Sequence, residues 1–152
     1  IEATTVVAGN GSSELLYAIL RALAPERAII PCPAYGDYAV AAELGGADVL
    51  PVDGHPMFHV DDPGLMVTDT YPDADGMQNL MLFDLDGDRR IDMGRYLSDL
   101  SVGDGDMKCD LHPRWDRTGR QVSVDSSRAG IRQNLIVDAG PALEARAGDH
   151  VG

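Results

Sequence analysis

Ala47-Asp48-Val49-Leu50-Pro51-Val52 runs directly into Asp53-Gly54-His55-Pro56-Met57-Phe58, and the fold turns on what changes between Val52 and Asp53. Upstream of that point helical and strand patterns alternate. Thr4-Thr5-Val6-Val7-Ala8 is a short β-branched run closed by Gly9-Asn10-Gly11, after which Leu15, Leu16, Ile19, Leu20 and Leu23 recur at helical spacing. Ser12 or Ser13 is placed to cap that helix and Pro25 to stop it. Ala28-Ile29-Ile30 reads as a buried strand, Tyr38 to Leu44 as a second helix and Ala47 to Val52 as a third strand. The expected order is β-α-β-α-β, a small parallel sheet with right-handed crossovers that leaves one face or edge uncovered.

Downstream the period changes. His55-Pro56-Met57-Phe58 returns as His112-Pro113-Arg114-Trp115, and Gln78-Asn79-Leu80-Met81-Leu82-Phe83-Asp84 returns as Gln133-Asn134-Leu135-Ile136-Val137-Asp138, at offsets of 57 and 55 residues. Between these marks lie Leu65-Met66-Val67-Thr68-Asp69 and Gln121-Val122-Ser123-Val124-Asp125, each following a glycine-bearing turn. The first unit is expected to hold strands near His55–His59, Leu65–Thr70, Gln78–Leu85 and Arg89–Tyr96; the second lacks a clear fourth strand. A repeat of this length without helices points to propeller blades, since each small sheet must bury its faces on the next. The expected class is therefore α+β overall: an α/β fragment over 1–52, about two propeller-type blades over 53–140, and a fraying Ala/Gly-rich tail over 141–152. Two blades leave apolar faces uncovered, which predicts self-association through them.

The formal charge of −13 repels phosphate backbones, and no basic run offsets it, so nucleic acid and acidic membrane are excluded as partners. Residues 1–52 carry six acids and two bases, whereas the acids of the later segment are nearly all Asp, a residue of turns and strand ends. Cys32 and Cys109 are too few and too far apart for a disulfide framework or a zinc site, and read as buried free thiols. No run of ~18 apolar residues and no signal-peptide pattern is present, so a soluble, cytoplasmic protein is expected. The chain opens at Ile1 inside what reads as a continuing element, which weakens the signal-peptide argument.

The glycine loop Gly9-Asn10-Gly11 presents backbone N–H groups at the positive end of a helix, an arrangement suited to a phosphate. Asp84-x-Asp86-Gly87-Asp88 has the wrong glycine position for a calcium loop and reads as an acidic hairpin turn. His55 and His59 open a blade strand, where a histidine beside proline is ordinarily a turn or packing residue; they also stand as candidate ligands.

Two family resemblances sharpen this. Gly9-Asn10-Gly11-Ser12-Ser13-Glu14-Leu15, Arg21-Ala22-Leu23 and Pro31-Cys32-Pro33-Ala34-Tyr35-Gly36-Asp37-Tyr38, in that order, resemble the fold-type I pyridoxal-phosphate aminotransferases, in particular the histidinol-phosphate aminotransferase-like branch, over residues 4–52. The resemblance implies that Asn10, Gly11 and Ser12 hold the phosphate of pyridoxal phosphate and that Tyr35 stacks on its ring. The Schiff-base lysine of that chemistry has no counterpart here, because the one lysine, Lys108, lies in the other segment. Thr68-Asp69-Thr70-Tyr71-Pro72-Asp73 and Cys109-Asp110-Leu111-His112-Pro113-Arg114-Trp115, with Asp125-Ser126, resemble oligogalacturonate lyase-like β-propellers over residues 53–139. That resemblance implies a divalent metal such as manganese, held by histidines and a glutamine that include a Gln-x-x-His-Pro-His string. Here the string is Cys109-x-x-His112-Pro113-Arg114, which keeps His112 as the metal ligand. Arg95, Arg114 and Arg132 are the candidate clamps for a uronate carboxylate.

The expectation for the whole chain is a chimeric or truncated protein without a complete active site, its larger part resembling a pectin-uronide propeller that takes a small-molecule or oligouronide ligand. The alternative is a pyridoxal-phosphate-binding aminotransferase fragment without its lysine. Of the two activities, oligogalacturonide lyase ranks ahead of transamination, and no residue is assigned a catalytic role.

Overall fold

The computed structural model describes Thr4, residues 6–98 and residues 109–148. It divides into two compact units, Ile1–Val52 and Asp53–Gly152. The elements are mixed helix and strand, with three small open sheets of two, four and three strands.

In the first unit α1 (Ser12–Leu23), β1 (Arg27–Cys32), α2 (Asp37–Leu44) and β2 (Asp48–Asp53) follow one another, and β1 pairs with β2. The strand expected over Thr4–Ala8 does not form in its described part: residues 6–8 have no regular structure, and Val6 and Val7 stand exposed. A β-branched run gains strand stability only from a paired neighbour and a surface to pack on, and here it has neither. The described order is thus α-β-α-β instead of β-α-β-α-β. Neither Ser12 nor Ser13 caps α1. Gly11 takes the N-cap position at φ 89° with no side-chain cap, and the Ser13 hydroxyl instead donates to Asp37 Oδ2 at 3.2 Å. The core of this unit is small, with Ile30, Ala42 and Ala47 buried and Leu20, Ala28, Ala39 and Val49 packed around them. Cys32 is exposed and only Cys109 is buried, so the expectation of two buried thiols holds for one.

The second unit begins with a four-stranded antiparallel sheet, β3 (Met57–Phe58), β4 (Leu65–Asp69), β5 (Met77–Asp84) and β6 (Arg89–Leu97), paired in sequence order. The register slips once, where Leu80 faces Gly94 and Met81 faces Asp92. Met93 is the extra residue of this bulge, and Gly94 follows it at φ 153°, a value few side chains tolerate. A three-stranded antiparallel sheet follows, β7 (Arg114–Trp115), β8 (Gln121–Ser126) and β9 (Gln133–Asp138). Asp84-Leu85-Asp86-Gly87-Asp88 is the β5–β6 hairpin turn.

One hydrophobic cluster draws on both sheets: Leu65, Val67, Leu80 and Leu82 from the first, Trp115, Val122 and Val124 from the second, together with Leu111, Ala139 and Ala142. Burying each of the larger side chains contributes about 1.5–3 kcal/mol. Trp115 adds a direct link by donating its indole N–H to the Met57 carbonyl at 3.3 Å.

The tail expected to fray is in its described part a helix, α3 (Gly140–Gly148). Pro141 enters at its first turn, where a missing N–H costs nothing, and Arg146 anchors the other end. The Arg146 guanidinium pairs with Asp62 and lies 3.1 Å from buried Asp84, while its carbonyl accepts from Arg89 at 3.1 Å. Ala142 adds to the apolar cluster. Tertiary contacts thus order a segment whose Ala/Gly composition reads as loose.

Candidate metal centre

The two His-Pro strings precede β3 and β7, the first strand of each sheet, and the topology brings them together. The His55 and His112 rings stand 4.1 Å apart between centroids at 52°. Asp110, two residues before His112, completes a group in which one ligand atom each from His55, Asp110 and His112 lies within 4.8 Å of the others. All three are partly buried.

Asp69, the last residue of β4, organises the pair from beneath. Its carboxylate is fully buried and accepts from the His55 backbone N–H at 2.6 Å. The His55 ring Nδ1 is 3.1 and 3.2 Å from its two oxygens. The second oxygen also accepts from the His112 backbone N–H at 3.2 Å. His112 has φ 43°, a left-handed conformation that costs a non-glycine residue about 1–3 kcal/mol, and the Asp69 bond is one contact that holds it there. Gly54, at φ 75°, lets the chain turn directly over Asp69: a Cβ there would meet the Asp69 carbonyl oxygen at 2.0 Å.

The second repeat copies the motif. Asp125, near the end of β8, lies 3.8 Å from His112 Nδ1, as Asp69 lies against His55. Arg132 and Asn134 both donate to Asp125, Arg132 at 3.2 Å. Gln78, buried at the start of β5, donates to Asp110 Oδ1 at 3.2 Å and to the Thr70 carbonyl at 3.4 Å. The Tyr71 ring stands edge-on to His55 at 5.5 Å.

His112 is thus part of the cluster, and His55 joins it instead of serving only as a turn residue. His59 is elsewhere: its Nε2 lies 3.0 Å from the Gly119 carbonyl and its ring packs edge-on against Trp115 at 4.8 Å. Of the three arginine candidates, Arg132 reaches the cluster through Asp125. Arg95 pairs with Asp73, and Arg114 donates to its neighbour's carbonyl, that of Pro113, at 2.8 Å. Cys109 is buried, and burial pushes its thiol up from the ordinary value. The sequence reading missed Asp69, Asp110, Asp125 and Gln78. The repeat held part of the signal: Asp69 follows His55 by 14 residues and Asp125 follows His112 by 13, so the two strand-end aspartates fall one residue out of register when the His-Pro strings are aligned.

The donor set suits a divalent cation. Two imidazoles and a carboxylate are borderline ligands that manganese or zinc accepts, and a buried carboxylate behind a ligating imidazole is the usual outer support.

In the first unit the glycine loop is differently employed. The Asn10 backbone N–H donates to the Glu14 carboxylate, so a negative group already sits at the donor that a phosphate needs. Gly11 is exposed, as are Ser12 and Tyr35. The Tyr35 hydroxyl is 3.4 Å from Ser13 Oγ, and its ring meets Tyr38 edge-on at 5.9 Å. These residues do not fit the cofactor phosphate as they stand.

The class that fold and site define is a mixed α+β chain whose larger unit carries a His/Asp cluster across two antiparallel sheets. Compared with protein families, curated proteins and solved structures, the chain matches none. Among the described residues no helix is long and apolar enough to cross a membrane.

Proposed function

We propose that the second unit binds a divalent cation through His55, Asp110 and His112 and presents it to the carboxylate of an acidic sugar, as a uronide-binding module of lyase-like type. The observation that carries this reading is the convergence of three ligand side chains from both repeats within 4.8 Å, on a buried carboxylate that grips both histidines.

The net charge works against this ligand class, and only local cationic groups favour it. A chain of net −13 repels an acidic oligosaccharide at long range, so such a ligand has to be drawn by local positive charge. When bound, a divalent cation supplies Lewis acidity toward a carboxylate oxygen. Arg132, half exposed beside Asp125, offers the guanidinium fork that pairs with carboxylates. Gln78 holds Asp110 by its amide, and Tyr71 flanks His55 with an aromatic edge. No proton-abstracting base is assigned, so binding is the function proposed and elimination is not.

Isothermal titration of the full chain with a short oligogalacturonide, with and without Mn²⁺, tests the reading. Mn²⁺-dependent binding that disappears in His112→Ala and weakens in Arg132→Ala is expected. Binding of equal strength in the presence of chelator would overturn it.

A further inference from the structure

We infer that Asp69 is the positioning residue of this centre: one buried carboxylate that fixes the ring tautomer of His55 and the backbone of His112 together, so that both repeats present their imidazoles in register. The inference rests on the cation reading proposed above and extends it to a residue that would not itself touch the metal.

Three contacts carry it. The Asp69 carboxylate is fully buried, and the N–H donors facing it come from His55 twice, backbone and ring, and from His112 once. A carboxylate can only accept. The His55 atom facing it, Nδ1, must therefore carry the proton when the imidazole is neutral, which leaves the Nε2 lone pair as the coordinating one. Which ring nitrogen is free to ligate is set by the bond the other one makes, and losing such an outer partner typically costs 10–100-fold in metal affinity. The His112 bond spans 43 residues and enters from the other repeat, so the same carboxylate that selects the His55 tautomer also holds His112 in its left-handed turn. Asp125 gives His112 a looser version of the ring contact, 3.8 Å against 3.1 Å. The pairing is therefore asymmetric, with Asp69 shared and Asp125 private to one histidine.

The test is ¹⁵N NMR of the imidazoles in the metal-free full chain, at a pH where they are neutral, with the four histidines assigned by substitution, followed by Mn²⁺ titration. Wild type is expected to show His55 as the Nδ1–H tautomer. Asp69→Asn, whose amide turns a donor either toward the His55 ring or toward the His112 N–H, is expected to lose the His55 tautomer preference or the His112 backbone bond, and in either case to bind Mn²⁺ about 10–100-fold more weakly. A neutral His55 protonated at Nε2 in wild type overturns the inference without recourse to any variant, so poor folding of Asp69→Asn does not protect it. An unchanged Mn²⁺ affinity in Asp69→Asn, with His112→Ala abolishing binding, overturns the positioning role while leaving the cation reading intact. The expected tautomer with no Mn²⁺ binding by wild type overturns the cation reading instead, and the positioning role with it.

Discussion

Gly54 stands between Val52-Asp53 and the first His-Pro string, and its lack of a side chain is what lets His55 fold back over Asp69. Its φ of 75° and the 2.0 Å approach of a hypothetical Cβ to the Asp69 carbonyl oxygen give alanine two separate penalties. The dihedral alone is worth about 1–3 kcal/mol. Gly54→Ala should therefore lower the melting temperature of the second unit by roughly 4–8 °C for each kcal/mol, and should weaken Mn²⁺ binding by pushing His55 off its carboxylate. A Gly54→Ala protein that melts and binds as wild type would show that the turn is not under this constraint. Gly119 is the parallel case at another contact between the repeats, where a Cβ would lie 2.2 Å from His59 Nε2. There the cost would fall on packing against Trp115, away from the His55–Asp110–His112 cluster.

At the scale of elements, part of the Asp-rich composition of the second unit is accounted for by its turns. Asp62 accepts from the Gly64 N–H, Asp73 from Asp75 and Met77, and Asp116 from Arg120 and Gln121, each a short side chain closing a local loop. The Thr118 hydroxyl and then the Gln121 N–H hold the Asp116 carboxyl down to about 2. The α3 clamp is a different case. The hydrogen bond from Arg146 lowers Asp62, and at Asp84 burial pushes the carboxyl up but the Arg146 hydrogen bond and charge outweigh it, so both sit below the ordinary 3.8. Carboxyls depressed in the folded state stabilise it fully above their unfolded value near 4 and lose that contribution as pH falls through the folded values. The second unit should accordingly lose stability on acidification below about pH 4, by more in wild type than in Arg146→Ala. Arg146→Ala should itself destabilise the second unit at neutral pH by on the order of 1–3 kcal/mol, because it removes one of the two guanidiniums at buried Asp84 and leaves Arg89 at 3.4 Å as the other. Thermal melts of both proteins at pH 7 and pH 3 check the pair of statements; equal acid sensitivity in the two would remove Arg146 from the account.

The whole molecule explains which parts could be read from the sequence. Leu65–Asp69, Met77–Asp84 and Arg89–Leu97 lie within a residue of expectation, because glycine and aspartate turns bound them and apolar runs or alternation fill them. The helices of the first unit were legible, the first through Leu15, Leu16, Ile19 and Leu20 and the second over Tyr38 to Leu44, within a residue of Asp37–Leu44. Helix α3 was not, since its order comes from Arg146 meeting Asp62 and Asp84, partners 84 and 62 residues away. The cluster was half legible: His112 stands in a recognisable string, but the importance of His55 depends on Asp69 and His112, which only the packing of the two sheets brings to it. The two units also differ in how much core they own. The first buries one isoleucine and two alanines in its cluster, and the second buries ten residues that include four leucines and a tryptophan. Calorimetry should therefore resolve two transitions, the lower one belonging to residues 1–52; a single cooperative transition would contradict this. The most direct test of the central claim is a Mn²⁺ titration of the full chain followed by electron paramagnetic resonance of the free ion. The account predicts one bound Mn²⁺ per chain, lost in both His55→Ala and His112→Ala and retained in His59→Gln. Binding that survives both alanine substitutions, or that depends on His59, would contradict it.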